Sequence, residues 1–67
     1  MSEVTIFKVF CLERYKSKHR MTGKETFDLF IQHGVFDYLG EFYDLLHSHG
    51  DRYIVADIEE FINVRKK

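Results

Sequence analysis

Residues 22–34 read TGKETFDLFIQHG and carry the clearest start and stop signals for a helix in the chain. Thr22 and Glu25 match the capping box, in which the threonine hydroxyl and the glutamate carboxylate each accept a backbone amide of the first turn. Gly34 stands where helices often end in a left-handed residue. This stretch therefore predicts a short helix with sharp boundaries, against which the other helices pack.

The N-terminal residues predict a first helix that is apolar on nearly every side. Ser2 is placed to cap it, and apolar residues follow at three-to-four spacing. Ile6, Val9 and Phe10 widen the apolar stripe. The basic residues 16–20 either end this helix or extend it into solvent. We expect the first helix to be covered on more than one side.

The residues after Gly34 predict a third helix, which runs from a cap at Asp37 to Gly50. Gly40 lies inside its apolar pattern. Because glycine costs about 1 kcal/mol relative to alanine within a helix, we expect Gly40 to mark the close approach of another helix.

The last helix is predicted to begin at a second capping box, formed by Asp57 and Glu60. A turn at residues 51–52 precedes it, and residues 53–55 have a local β pattern that is too short to make a sheet alone. Together these segments predict an all-α fold, a small bundle of about four short helices that forms one domain over residues 1–67.

The size and composition of the chain suggest that part of its surface is covered by another molecule. Its 67 residues include seven phenylalanines, four tyrosines and no proline. A domain of this size hides only about 60% of the surface that its unfolded chain exposes. We therefore expect some aromatic rings at an interface, and the apolar first helix predicts a homodimer.

The single cysteine and the N-terminus indicate where the protein works. Cys11 lies in an apolar run and is expected to be a buried thiol. The acidic start carries no secretory signal, and no apolar run is long enough to cross a bilayer. We expect a cytoplasmic protein without a membrane partner.

The net charge of −1 conceals a strong asymmetry along the chain. Residues 1–24 carry +4, residues 25–60 carry −8 and residues 61–67 carry +3. One interpretation is that the basic segment pairs with the acidic helices of its own molecule or is simply solvated. The other is that an acidic surface steers a basic partner.

Motifs for nucleic-acid binding, metal binding and catalysis are weak. The second and third helices have the length of a helix-turn-helix, but the third lacks the basic and amide side chains that contact phosphates and bases, so nucleic-acid binding is not expected. Asp44 and His47 share a helix face, yet two ligands make a poor metal site. We find no nucleophile with a base, so we expect no enzyme, no catalytic residue, no metal and no cofactor.

Six segments together resemble a family of short bacterial proteins known only as a domain of unknown function. They are residues 10–13, 22–25, 29–30, 34–39, 42–47 and 53–58. Members of that family are often encoded beside an uncharacterised family with an ADP-ribosyltransferase-like domain. The resemblance thus implies a small antitoxin or accessory partner, and it supplies no catalytic residues.

The leading hypothesis is a non-catalytic protein-interaction module, antitoxin-like, that binds a partner through an acidic and aromatic helical face. The partner implied by the resemblance is the ADP-ribosyltransferase-like protein encoded nearby. The alternatives are a small DNA-associated regulator that uses the basic segment from Arg14 to Arg20, and a homo-oligomeric structural protein. The predicted contact residues of the leading hypothesis are Asp28, Asp37, Tyr38, Glu41, Phe42, Tyr43 and Asp44.

Overall fold

The computed structural model describes residues 2–66, which form five helices. The helices are α1 (Glu3–His19), α2 (Gly23–His33), α3 (Val35–Glu41), α4 (Tyr43–Leu46) and α5 (Asp51–Arg65). The predicted all-α fold is confirmed. The longest helix, α1, packs on α2, α3 and α5.

The predicted helix ends in the first half of the chain are confirmed. The Ser2 hydroxyl accepts the Thr5 amide at 3.1 Å. The Glu25 amide donates to the Thr22 hydroxyl at 3.1 Å, and the Thr22 amide donates to the Glu25 carboxylate at 2.8 Å. Gly34 ends α2 with a φ of 69°. These caps satisfy backbone groups that have no partner inside a helix.

The basic segment continues α1 rather than ending it. The helix runs to His19 and stops at Arg20, whose φ is 54°. Among residues 2–66, Arg20 is the one non-glycine residue with a positive φ. A side chain in this left-handed conformation costs roughly 1–2 kcal/mol. The end of α1 is therefore a strained position.

The core is a cluster of eleven buried apolar side chains drawn from all five helices. Phe7, Cys11 and Tyr15 contribute one side of α1. Tyr15 packs edge-on against Phe30 of α2, with ring centroids 5.3 Å apart. The expected burial of Cys11 is confirmed, because its exposed fraction is 0%.

The third helix starts earlier than predicted. It begins at Val35 directly after Gly34, and no side chain caps it. The predicted cap at Asp37 is therefore wrong, because Asp37 lies inside the first turn. The left-handed Gly34 already redirects the chain, and the burial of Val35 in the core starts the new helix at once.

The predicted helix over residues 37–50 is also not continuous. Phe42, with φ −104° and ψ 21°, interrupts it, and a single turn of helix follows as α4. Phe42 packs beside Tyr38, with ring centroids 5.2 Å apart. Tyr43 packs edge-on against Phe7 of α1, at 5.3 Å. The interruption thus lets two adjacent rings pack against different helices.

The close approach predicted at Gly40 is made by the side chains of α1. A Cβ atom at this position would lie 3.1 Å from Nζ and 3.2 Å from Cε of Lys8. Glycine therefore leaves room for the Lys8 side chain, which crosses α3 here.

The last helix starts before the predicted capping box. It begins at Asp51, so residues 53–55 are helical and the predicted turn, β pattern and cap at Asp57 are wrong. Ile54 and Val55 are buried in the core. Packing of this apolar side outweighs the weak helix propensity of β-branched residues.

Glu59 connects the C-terminal part of α1 to α5. Its carboxylate accepts a hydrogen bond from Lys18 Nζ at 3.0 Å and lies 2.7 Å from His19 Nε2. Burial opposes ionisation, but the hydrogen bonds and charges of Lys18 and His19 outweigh it and hold the pKa of Glu59 below its ordinary value. Arg14 adds a pair with Asp51 at 3.5 Å. Part of the basic segment therefore pairs within its own chain.

Replacing Arg20 by glycine should stabilise the protein. The change removes the strain of a left-handed side-chain residue. Part of this gain is lost because glycine has more freedom in the unfolded chain. We therefore expect the free energy of unfolding to rise by about 0.5–1 kcal/mol. Chemical denaturation measures it. Gly34→Ala is the converse control, with an expected loss of about 1 kcal/mol. A stability of Arg20→Gly equal to or below wild type would contradict the assignment of strain.

Replacing Glu59 by glutamine should destabilise the protein in a pH-dependent way. A carboxyl with a lowered pKa stabilises the fold above the pKa of the unfolded chain, about 4.3, and this contribution disappears as the pH falls through the folded pKa. We expect Glu59→Gln to cost about 0.5–1 kcal/mol at pH 7 and nothing in strong acid. Denaturation at several pH values tests this, with Glu60→Gln as the neighbouring control. An identical loss at every pH would argue against the ion pairs as its cause.

Candidate functional site

Helices α3 and α5 form two adjoining shallow grooves that share Tyr38, Phe61 and Arg65. One groove, of about 250 Å³, has Asp37, Glu41 and Phe42 along its α3 side. The other groove, of about 280 Å³, is lined mainly by side chains of α5. We call the combined surface the acidic-aromatic face, and it consists of Asp37, Tyr38, Glu41, Phe42, Asp57, Glu60, Phe61, Val64 and Arg65.

A row of aromatic rings forms the floor of this face. Tyr38 is stacked on Phe61 with ring centroids 4.2 Å apart, and its other neighbour is Phe42 at 5.2 Å. The Arg65 guanidinium lies over Phe61, with its central carbon 5.0 Å from the ring centroid. The face therefore already holds one guanidinium on an aromatic ring, the geometry of a cation-π contact.

Carboxylates surround the aromatic row. Asp37 and Glu41 lie four residues apart, on the same side of α3, and both are exposed. In residues 2–66 no ion pair involves Asp37, Glu41 or Glu60. Asp57 differs from these three carboxylates, because it accepts a hydrogen bond from the Tyr38 hydroxyl. This face is acidic and is suited to binding a cation by charge and by contact with a ring.

The hydrogen bond to Asp57 fixes the position of Tyr38 in the face. Burial, the hydrogen bond and the charge of Asp57 together raise the pKa of the Tyr38 hydroxyl to about 12. Tyr38 is therefore protonated under ordinary conditions and donates to the carboxylate. The ring is held against Phe61 rather than free to rotate away.

The structure brings together four of the seven predicted contact residues, namely Asp37, Tyr38, Glu41 and Phe42. Asp28 lies on α2, where it pairs with Lys24 at 2.9 Å. Tyr43 is stacked on His47 and packs on α1, on a different side of the domain. Asp44 is exposed and lines neither groove.

The α5 half of the face was missed by the sequence analysis. Asp57, Glu60, Phe61 and Val64 follow one another at spacings of three, one and three residues, which places them on one side of a helix. That signal was present, but Asp57 and Glu60 also fit the pattern of a capping box and were assigned to one. Only the packing of α3 on α5 makes them neighbours of Tyr38.

Other kinds of site have little support in the part of the chain that is described. Among residues 2–66 no group of three or more His, Cys, Asp or Glu side chains could hold a metal ion. Burial raises the pKa of the Cys11 thiol to about 12, so little reactive thiolate forms at neutral pH. No described helix is long and apolar enough to cross a membrane.

The fold and the face define a small all-α protein with an acidic-aromatic surface. The chain belongs to the family described as Protein of unknown function (DUF3791), whose model matches residues 6–65. The predicted resemblance to a domain of unknown function is thereby confirmed. No curated protein and no solved structure matched the chain.

Replacing Tyr38 by phenylalanine should remove the hydrogen bond to Asp57 and cost about 1 kcal/mol of stability. Because the pKa of Tyr38 is raised, its contribution is present below about pH 10 and is lost as the pH rises towards 12. Tyrosine absorbance should therefore contain a component titrating near 12 that Tyr38→Phe removes, whereas Tyr53→Phe should keep this component and lower its pKa only slightly, because the Tyr53 charge is the smallest of the causes that raise it. Persistence of that component in Tyr38→Phe would contradict the assignment.

Proposed function

We propose that this protein is a non-catalytic interaction module that binds a basic segment of a partner protein through the acidic-aromatic face. The observation that carries the proposal is the position of Asp37 and Glu41. Both carboxylates are exposed beside the row formed by Tyr38, Phe42 and Phe61, and neither takes part in an ion pair within residues 2–66. Unpaired carboxylates next to half-buried rings attract cations at long range and hold them at short range.

Arginine is the side chain that this face fits best. The guanidinium is planar, pairs with carboxylates in a two-pronged geometry and stacks on aromatic rings. Arg65 already lies over Phe61 in this manner. Phe42 is 39% exposed and leaves a ring available beside Asp37 and Glu41. The proposed ligand is therefore an arginine-bearing segment.

The biological role that we propose is antitoxin-like. In this role the protein works in the bacterial cytoplasm, and its partner is the ADP-ribosyltransferase-like protein that the resemblance implies. The proposal for the role rests on that resemblance, whereas the proposal for the surface rests on charge and ring geometry. The two are separable, because any basic partner would suit the face.

The DNA-associated alternative has less support. Of its four basic residues, Arg14 pairs with Asp51, Lys18 with Glu59 and Lys16 with Glu13. Phosphate binding would have to compete with these pairs, although pairs as exposed as these are individually weak. A basic segment that binds the acidic-aromatic face would displace no ion pair of Asp37 or Glu41 within residues 2–66.

The predicted homodimer requires a different surface. Two acidic-aromatic faces placed against each other would bring Asp37, Glu41 and Glu60 of both copies together, and like charges at an interface are unfavourable. A homodimer, if it forms through another side, leaves this face available to its partner.

Reversing two charges should abolish partner binding without unfolding the protein. In a tagged pull-down from the native organism, we expect the double variant Asp37→Lys, Glu41→Lys to capture at least about tenfold less partner than the wild type. The reason is that two carboxylates that attract the basic partner become cations that repel it. Mass spectrometry of the retained material, at low and moderate salt, identifies the partner. Circular dichroism checks that the helical signal is unchanged.

Asp28→Lys is the matched control, since Asp28 is acidic and exposed but lies on α2 outside the face. It should bind like wild type. Equal capture by the double variant would refute the assigned face. Retention of nucleic acid alone, lost at moderate salt, would favour the DNA-associated alternative.

A further inference from the structure

Arg65 is the one cation among the residues of the acidic-aromatic face. It is exposed in the last turn of α5 and lines both grooves. Asp37 and Glu41 line one of these grooves with it, yet within residues 2–66 Arg65 forms no ion pair. Its guanidinium instead lies over the ring of Phe61, with the central carbon 5.0 Å from the ring centroid. An aromatic ring, rather than a carboxylate, therefore holds this cation in the face.

Both faces of the Phe61 ring are covered within the chain. Tyr38 is stacked on one face, with ring centroids 4.2 Å apart and an angle of 18° between the ring planes. A stacked ring at this distance fills the face that it covers, so the Arg65 guanidinium lies over the other face. The hydrogen bond to Asp57 holds Tyr38 in place. A guanidinium from another molecule can therefore stack on Phe61 only if Arg65 moves away.

The Phe42 ring differs from the Phe61 ring because no arginine of residues 2–66 lies over it. It is 39% exposed, and Asp37 and Glu41 line the same groove. The groove that Phe61 lines from α5 also contains two carboxylates, those of residues 57 and 60. Each ring thus has acidic neighbours that suit a guanidinium. The face contains two arginine sites, of which the site on Phe42 is open and the site on Phe61 is filled by Arg65.

We propose that Arg65 is an autoinhibitory side chain, which occupies the site that a second arginine of the partner would take. This inference rests on the proposed function of the acidic-aromatic face and adds to it the chemistry of the partner, a segment with two arginines. The first arginine binds at Phe42 beside Asp37 and Glu41. The second binds at Phe61 when Arg65 leaves that ring. Arg65 thereby sets how tightly the face holds its partner.

The contact between Arg65 and Phe61 is of a kind that a ligand can replace. Arg65 is exposed, and a single cation-π contact at an exposed position is weak. Because Arg65 belongs to the same molecule as the ring, it competes at a high effective concentration. Its positive charge also repels an approaching basic segment. Arg65 therefore lowers the affinity of the face for arginine without closing the site on Phe42.

Calorimetric titration with a capped peptide of six arginines tests the proposal. Arg65→Ala should bind this peptide about three- to fivefold more tightly than the wild type, because a ring becomes free and a repelling charge is removed. Arg65→Lys keeps the charge but loses the planar group, so its affinity should lie between the two. Arg52→Ala is the matched control: it removes the same charge from an exposed position of α5 that lines neither groove, and it should bind like the wild type. Circular dichroism checks that each variant keeps its helical signal.

Nuclear magnetic resonance on the same complexes shows which ring the peptide contacts. Contacts between peptide arginine protons and Phe42 should appear in both proteins, whereas contacts to Phe61 should be much stronger in Arg65→Ala. Suppose that the wild type binds the peptide and loses it in the double variant Asp37→Lys, Glu41→Lys. Equal or weaker binding by Arg65→Ala would then overturn the autoinhibitory role alone and leave the proposed function in place. Absence of binding to both the wild type and Arg65→Ala would overturn the proposed function together with this inference.

Discussion

The core of this protein has room for only one side of α1, and the surfaces of the molecule follow from that constraint. Phe7, Cys11 and Tyr15 occupy this side, and α2, α3 and α5 close around it. None of the other described helices covers the opposite side, where Ile6 and Val9 are exposed. Aromatic residues are affected most, because only three of the eleven rings are buried. The remaining eight rings are partly or largely exposed, and Tyr38, Phe42 and Phe61 among them line the acidic-aromatic face.

Two sides of the domain differ in how far their charges are paired. On the side formed by α1 and the start of α5, cations and carboxylates pair within the chain, as at Lys18 and Glu59. The acidic surplus of residues 25–60 consequently remains largely on other surfaces, including that of α3 and α5. Two copies of that face would repel each other, because Asp37, Glu41 and Glu60 of both copies would come together.

The candidate site was half predictable. Asp37, Tyr38, Glu41 and Phe42 were identified from the sequence because they lie on α3 or at its C-terminal cap, where residues three and four apart are neighbours. Their α5 counterparts were not, since a carboxylate such as Asp57 has the same local pattern whether it caps a helix or accepts a hydrogen bond from a tyrosine nineteen residues away. Asp28 and Tyr43 were grouped with the face by composition, and the direction in which each helix faces separates them from it.

Local chemistry determined the helical class, the caps at Ser2 and Thr22, the left-handed glycine at residue 34 and the burial of Cys11. Each of these depends on groups within about one helical turn or on hydrophobicity alone. Tertiary packing decided the interruption at Phe42, the start of α5 and the assembly of the acidic-aromatic face from α3 and α5. These depend on which distant side chains meet in a crowded core, and the energy of such contacts outweighs local preference.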